Sequence, residues 1–398
     1  MNEKVYDIAI IGGGIAGAGI ARDAALRGES VALFEKNYFA AGASSKSSKL
    51  IHGGLRYLEI AWKRLLRFDL IGAWQNFRFV FVSLRECRLL EEMAPTLIQP
   101  APILIPLYHS SHRNRWSVYL GCKLYGFLAF LAGSKRFPEI LNADEVLQKF
   151  PDIRKEGLLG GAIVWDRMTD DKRLVEALLR SALKKGALAL EGAEITGYTH
   201  DKNTKNYRLT VRQGDEQKEF YSKHLVNATG AWADQTRNLS GEKHNPMIYP
   251  VAGAHIMLPR FLPFSMLAEA KDGRPFFVID WNGFSRVGTT ERTVENLDQV
   301  QATAEEKKYL LESLSFYFPS KNFSEDSILS SDAGVRPLAL ETKNLNANQV
   351  SREHKIFTGE DGVLHVIGVK LTDHRRAAED VVNKLSTRKS RTRLEPLL

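Results

Sequence analysis

Cysteine is almost absent: the chain of 398 residues carries two, Cys87 and Cys122. Both lie in apolar stretches without metal-ligand spacing, which excludes a disulfide scaffold and points to a reducing compartment. Histidine is sparse too, and the one suggestive pair, His109 and His112, lacks a third ligand, so no metal centre is expected. No apolar run comfortably reaches the roughly 20 residues that cross a bilayer. The longest, Trp116 to Gly133, is interrupted by Lys123, Gly121 and Gly126 and reads as buried or interfacial. No leader precedes the first strand-like run, so the expected location is the cytoplasm. An RNA module and an aromatic–basic stripe are also lacking, so no nucleic-acid partner is expected. The formal charge of +8 still asks for an anion, but charge alone does not choose among a phosphorylated substrate, a dinucleotide and acidic lipid.

What is present begins at once. "VYDIAII" is an apolar strand that runs into Gly12-x-Gly14-x-x-Gly17, then a helix, then a second strand, "SVALFE", ending at Glu35. The three glycines provide a tight turn, close approach of backbone to a pyrophosphate, and close contact of helix with strand. The helix start offers free N–H groups to phosphate, and Glu35 is placed to accept from a ribose diol. The fingerprint alone leaves NAD and FAD open. Two buried strands far downstream, "HLVNATG" ending at Gly230 and "VLHVIG" ending at Gly368, return to the same domain. Such late returns suit a cofactor whose ring lies far from its adenine, which argues for FAD.

In order along the chain stand "IIGGGIAGAGIARDAALRG", "SSKLIHGGLRYLE", "DRMTDDKRLV", "LVNATGAWAD", "GAHIMLP", "VGTTE", "DAGVRPL" and "VIGVKLT". Together they resemble the FAD-dependent glycerol-3-phosphate dehydrogenases and oxidases, within the wider glycine and D-amino-acid oxidase-like flavoproteins. The resemblance runs to about residue 385 and implies a fold. This is an α/β protein with a discontinuous, doubly wound FAD-binding domain at 1–95, 160–238 and 332–398. A second antiparallel-sheet domain for substrate takes 96–159 and 239–331. Members of the family usually continue into a further helical domain, which is not expected in this sequence. The closing segment, "STRKSRTRLEPLL", reads as a solvated, frayed tail.

The resemblance also implies roles. The serine-rich loop would run beneath the flavin, with Ser44, Ser45, Ser48, Lys49 and Leu50 touching it and His52 nearby. Small residues there let backbone and hydroxyls reach the ring. Lys370, Leu371 and Thr372 would touch the cofactor from the last strand. His255 is the implied base, since imidazole titrates near working pH. Arg336 would stabilise the charge that develops on the substrate oxygen. Arg56, Tyr57, Arg352 and Lys370 would complete a cationic pocket for a phosphate dianion. The expected reaction is oxidation of a small phosphorylated alcohol, sn-glycerol 3-phosphate, to dihydroxyacetone phosphate, with electrons passed to a quinone or another acceptor. Oxidation of another anionic 2-hydroxy acid or amino acid is the alternative. A non-catalytic flavoprotein that binds membrane or nucleic acid is the alternative of a different class. Oligomeric state is not legible.

Two stretches raise further expectations. From Ala61 to Val82, Trp62, Leu66, Leu70, Trp74, Phe77 and Phe81 recur at helical spacing among Lys63, Arg64, Arg67 and Arg78. This predicts an amphipathic helix that either lies on anionic lipid, as a peripheral membrane contact, or packs on the core. After the last strand, Val369 and Asp373 depart from the family's usual Gly-Gly-Lys-Leu-Thr-Thr-Tyr-Arg. Asp373 is expected to cap the following helix; facing the pocket instead, it would disfavour phosphate.

Overall fold

The computed structural model describes residues 4–241, 244–340 and 354–397. Strand β1 (Val5–Ile11) alternates into two cores. Ile8 and Ile10 pack with helix α1 (Ile15–Leu26), whereas Ala9 and Ile11 pack with Phe34, Ile195 and Leu209. A strand buried on both faces belongs inside a parallel sheet. Accordingly β1 pairs in parallel with β2 (Val31–Phe34) on one side and with Glu216–Asn227 on the other. Glu216–Asn227 in turn pairs in parallel with Leu364–Ile367. Helices α1, Asp171–Leu183 and His374–Val382 bury one face of this sheet; the antiparallel strands Ala193–His200 and Tyr207–Gln213 bury the other.

A second, largely antiparallel sheet holds Ile98–Tyr108 against Leu158–Thr169, and Ile248–Pro259 against both Phe284–Gly288 and Ser330–Ala339. Helix Ala304–Tyr317 closes its core through Leu310, Leu311 and Leu314. The architecture is thus the expected discontinuous α/β domain with a second sheet domain. The expected boundaries divide it differently. Leu158–Thr169 and Ser330–Ala339 pair within the second sheet, although the ranges starting at 160 and 332 gave nearly all of both to the first. A strand's own pattern fixes its period, but its sheet is chosen by partners far along the chain.

The single helix expected over residues 61–82 is two. Helix α2 (Leu55–Leu65) and helix α3 (Leu70–Met93) form a hairpin. The chain reverses through Phe68, whose φ is +61°. Asp69 restarts the helix, its Oδ1 accepting from the Gly72 N–H at 2.8 Å, an N-cap worth about 1 kcal/mol. Helix α4 (Arg115–Leu131) packs on the hairpin through a cluster of Leu58, Val80, Leu84, Tyr125 and Ala129.

The closing segment is not frayed. Arg27 Nη1 donates to the Arg388 carbonyl at 2.6 Å and Arg388 Nη1 donates to the Gly28 carbonyl at 2.7 Å. Arg22, buried in α1, donates to the Glu395 carbonyl at 2.6 Å, and the buried Leu397 donates its N–H to the Met93 carbonyl at 2.7 Å. Two buried arginines, one within α1 and one at its C-cap, need acceptors, and the tail's backbone supplies them.

Candidate active site

The groove begins where β1 meets α1. Gly12 has φ +108°, and a Cβ on it would lie 2.7 Å from the Ala228 carbonyl oxygen. A Cβ on Gly17 would lie 1.9 Å from the Gly12 carbonyl oxygen, so only glycine lets helix and strand come this close. Gly14 occupies the N-cap of α1 with no side-chain cap and no acid in the first turn, which leaves the helix start electropositive. Glu35 holds the glycine turn from the end of β2: Oε2 accepts from Gly13 N–H at 2.7 Å and Oε1 from Asn37 N–H at 2.9 Å. The groove, about 380 Å³, runs from these residues past Ser44 and Lys46 to Gly230, Trp232, Gly334 and Gly368. A helix start without an acid in its first turn, a carboxylate at the strand end and a groove reaching the late glycines fit FAD: the start of α1 would hold the pyrophosphate and Glu35 the ribose.

The polar loop is held from within. Ser44 Oγ accepts from the Ile15 N–H at 2.9 Å, tying the loop to the helix start. Ser45 Oγ reaches the Gly42 carbonyl at 3.5 Å. Ser47 Oγ and Lys49 Nζ both donate to the buried Asp171 carboxylate, at 2.6 and 2.5 Å. Lys49 Nζ also donates to the Ser45 carbonyl at 2.9 Å, and its own φ is +59°. The Lys49 charge is thus spent on Asp171, and the side chain is a strut. The Leu50 side chain likewise turns into a core with Ile103 and Val164 rather than towards the groove. His52 meets the last turn, its N–H donating to Thr372 Oγ1 at 3.1 Å while Thr372 Oγ1 donates to the His52 carbonyl at 3.2 Å.

Beyond the loop sits His255, 3% exposed on Ile248–Pro259. Its Nε2 shares a hydrogen bond of 2.9 Å with Ser48 Oγ. Its Nδ1 has no hydrogen-bond partner among the described residues and lies 3.9 Å from Asp332 Oδ1, an electrostatic approach only. Asp332 is clamped by Arg286, whose Nη1 and Nη2 donate to the two carboxylate oxygens at 2.7 and 2.8 Å while Nε donates to the Ser47 carbonyl at 3.0 Å. Burial, then the charges of Arg286, Arg336 and Lys49, hold the His255 pKa well below the ordinary 6.5. The imidazole is therefore neutral at pH 7 and able to take a proton. Arg336 donates through Nη2 to Thr289 Oγ1 at 2.7 Å. A Cβ on Gly253 would lie 2.5 Å from that Nη2, so the strand opposite is bare where the guanidinium passes.

Lys370 approaches from the last turn. Its ammonium lies 3.5 Å from Tyr57 OH and 4.9 Å from the centre of the Phe79 ring, a cation placed among aromatics of the hairpin. Arg56, half-buried, stands beside Tyr57 in the first turn of α2. Arg352 lies outside the described residues. Asp373 stands at the N-cap position yet makes no cap. Its Oδ1 accepts instead from the Lys370 N–H at 2.7 Å, and its Oδ2 lies 3.1 Å from His354 Nδ1. The structure thus gathers Ser48, His255 and Arg336 on one side and Tyr57, Lys370 and Thr372 on the other. Arg286, Asp332, Asp171 and His354 were not foreseen. Asp171 lay in a quoted motif, "DRMTDDKRLV", that offered a signal. Asp332 likewise opens the quoted "DAGVRPL", whereas Arg286 lies outside every quoted motif.

Residues 7–370 match the family model described as FAD dependent oxidoreductase. The chain belongs to that family. As a member of the FAD-dependent oxidoreductases it takes FAD as cofactor. Over 394 residues it is 34% identical to the aerobic glycerol-3-phosphate dehydrogenase of Bacillus subtilis, covering 98% of this chain and 68% of that one. It also resembles the solved glycerol-3-phosphate dehydrogenase of Bacillus halodurans complexed with FAD. That similarity has a TM-score of 0.75 at 29% identity and covers 97% of this chain and 65% of that one. The L-alpha-glycerophosphate oxidase of Mycoplasma pneumoniae, with FAD bound, shares the fold at a TM-score of 0.73 and 16% identity, covering 98% and 97% of the two chains. This FAD-dependent oxidoreductase therefore spans about two thirds of the length of its dehydrogenase relatives.

Proposed function

We propose that this chain oxidises sn-glycerol 3-phosphate to dihydroxyacetone phosphate. The observation that carries the reading is a neutral, buried His255 under the positive field of Arg286 and Arg336. Lys370 follows Gly368 and Val369 of the groove lining and its ammonium lies 3.5 Å from the hydroxyl of Tyr57, the chain neighbour of the half-buried Arg56. Bound FAD supplies the hydride acceptor for the alcohol carbon. The protein's part is the remainder. His255 Nε2 releases Ser48 Oγ and takes the hydroxyl proton, which leaves the carbonyl as the C–H bond is lost. Arg336 offers charge to the oxygen as it becomes anionic. Lys370 and Arg56 hold the phosphate dianion away from the reacting carbon. Ser45, Ser48, His52, Leu371 and Thr372 remain cofactor contacts in this reading. Asp373, engaged with the Lys370 N–H and with His354, does not oppose a phosphate.

Electron delivery to a lipid-soluble quinone is favoured by a surface feature. The hairpin turn exposes Leu66, Phe68, Leu70, Ile71 and Trp74, and α4 exposes Trp116, Phe127 and Phe130. Exposed Lys63, Arg64, Arg67 and Arg78 lie among them. No helix among the described residues is long and apolar enough to cross a membrane. A basic rim around exposed aromatics suits a peripheral contact with anionic lipid. Turnover of glycerol 3-phosphate with an artificial electron acceptor tests the reading directly. Activity only on a 2-hydroxy acid or an amino acid would replace the substrate.

A further inference from the structure

The turn that carries Lys370 is pinned at three points. Thr372 is bonded to His52, as described. His374 Nδ1 donates to the Leu371 carbonyl at 2.7 Å. Asp373 Oδ1 accepts from the Lys370 N–H at 2.7 Å. The third pin differs from the others because its carboxylate is itself held. Asp373 Oδ2 lies 3.1 Å from His354 Nδ1, and Asp380 Oδ2 lies 3.2 Å from His354 Nε2. Carboxylates at both ring nitrogens call for a donor at each, which only the imidazolium has.

We propose that His354 is a positioning residue: acting through Asp373, it fixes the backbone of Lys370 and so the pose in which that ammonium meets an anion. The inference rests on Lys370 as an anion ligand, not on which substrate carries the anion. With the proton on His354, Asp373 is drawn to the ring and to the Lys370 N–H. Without it, Asp373 faces Asp380 across a neutral ring, and its carboxylate becomes a competitor for the Lys370 ammonium. Other charges near the clamp are Lys355, the chain neighbour of His354, and two arginines of the helix His374–Val382. Arg376 Nε is 3.9 Å from Asp380, and Arg375 is committed to Glu86 and Glu379 at 2.7 and 2.6 Å. Burial lowers the pKa of His354, but the hydrogen bonds and charges of the two carboxylates prevail and push it up to about 9. The clamp is complete below the ordinary value of 6.5 and is lost as pH rises through about 9.

The test uses flavin-loaded protein with inorganic phosphate as probe, read by perturbation of flavin absorbance, alongside hydrogen exchange at the Lys370 amide in protein with and without flavin. In the wild type, phosphate affinity should fall about tenfold between about pH 7 and about pH 9.5. His354→Gln should bind about tenfold more weakly at the lower pH, lose that pH dependence, and exchange the Lys370 amide faster. Asp380→Asn keeps the Asp373 contact and should move the midpoint to lower pH. Wild-type affinity and pH dependence in His354→Gln would overturn the proposal, as would an unmoved midpoint in Asp380→Asn if His354→Gln fails to fold. A wild type that binds phosphate in this way but does not oxidise glycerol 3-phosphate defeats the functional reading and leaves the clamp standing.

Discussion

At the nucleotide end of the groove, Gly12, Gly14, Glu35 and Ser44 lie within one short stretch of chain and work through missing side chains and through a carboxylate and a hydroxyl that accept from neighbouring backbone N–H groups. At the proposed substrate end, Tyr57, His255, Arg286, Asp332, Arg336 and Lys370 come from separate strands, helices and turns and would work through charge. The first construction is a matter of local sterics, where one atom too many is decisive. The second is a matter of fields summed over distant groups, where each member is replaceable in part. Substitutions should therefore behave differently at the two ends.

The largest effect is expected at the nucleotide end. Gly17→Ala sets a methyl 1.9 Å from the Gly12 carbonyl oxygen, and the backbone contact cannot yield as a side chain would. Purified protein should lack flavin colour and lose about 3 kcal/mol of stability in denaturant unfolding. A yellow, stable variant would break the comparison. At the substrate end, Arg336→Ala and Lys370→Ala should each keep flavin while kcat/KM for glycerol 3-phosphate falls about 10²–10³-fold. Loss of flavin in either would erase the distinction between the two ends.

Between the ends lies the strut. Asp171→Ala strands the buried Lys49 ammonium and frees Ser47, and should cost about 3 kcal/mol in unfolding while weakening flavin retention only partly. A smaller effect is expected from pH. Because the His255 pKa lies below the ordinary 6.5, kcat/KM should stay level as pH falls through 6.5 and drop only at lower pH. The same shift removes stability as pH falls below 6.5, where the unfolded chain takes up a proton that the folded chain refuses. A limb centred at or above 6.5 would mean that His255 is not the base. The smallest effect belongs to the outer surface. Phe68→Ser with Trp74→Ser should abolish cosedimentation with anionic vesicles and leave turnover with a soluble acceptor unchanged.

The same contrast explains what the sequence disclosed. The β1–α1–β2 unit is legible because glycine spacing, strand period and a terminal carboxylate are properties of neighbours in the chain. The hairpin reads as one helix because the apolar spacing continues across Leu66–Asp69; the break is set by a residue in the left-handed region, Phe68, which no periodicity announces. The tail reads as frayed because its polarity resembles a preference for water. Its backbone instead satisfies Arg22 and Arg27, whose burial in α1 is known only once the sheet is assembled. The pairing of Arg286 with Asp332 escapes notice for the same reason: Asp332 opens the quoted "DAGVRPL", but a bidentate pair between strands has no local signature. His255 and Arg336 are singled out through resemblance, and the geometry adds the burial and positive field that keep the imidazole neutral.

The tail contacts also set an order of events during synthesis. Arg22 leaves the ribosome early, yet its acceptor at Glu395 is 373 residues further on, and β1 waits for Glu216–Asn227 before it gains a partner on that side. The second sheet, whose strands end at Ala339, has all of its members while the first domain is still short of Leu364–Ile367. The nascent chain thus carries an apolar strand with one open edge and an Arg22 without its tail acceptor through most of its translation. Completion of the nucleotide end must then be a late, long-range closure, the kind of step in which unfinished chains are captured by chaperones or aggregate.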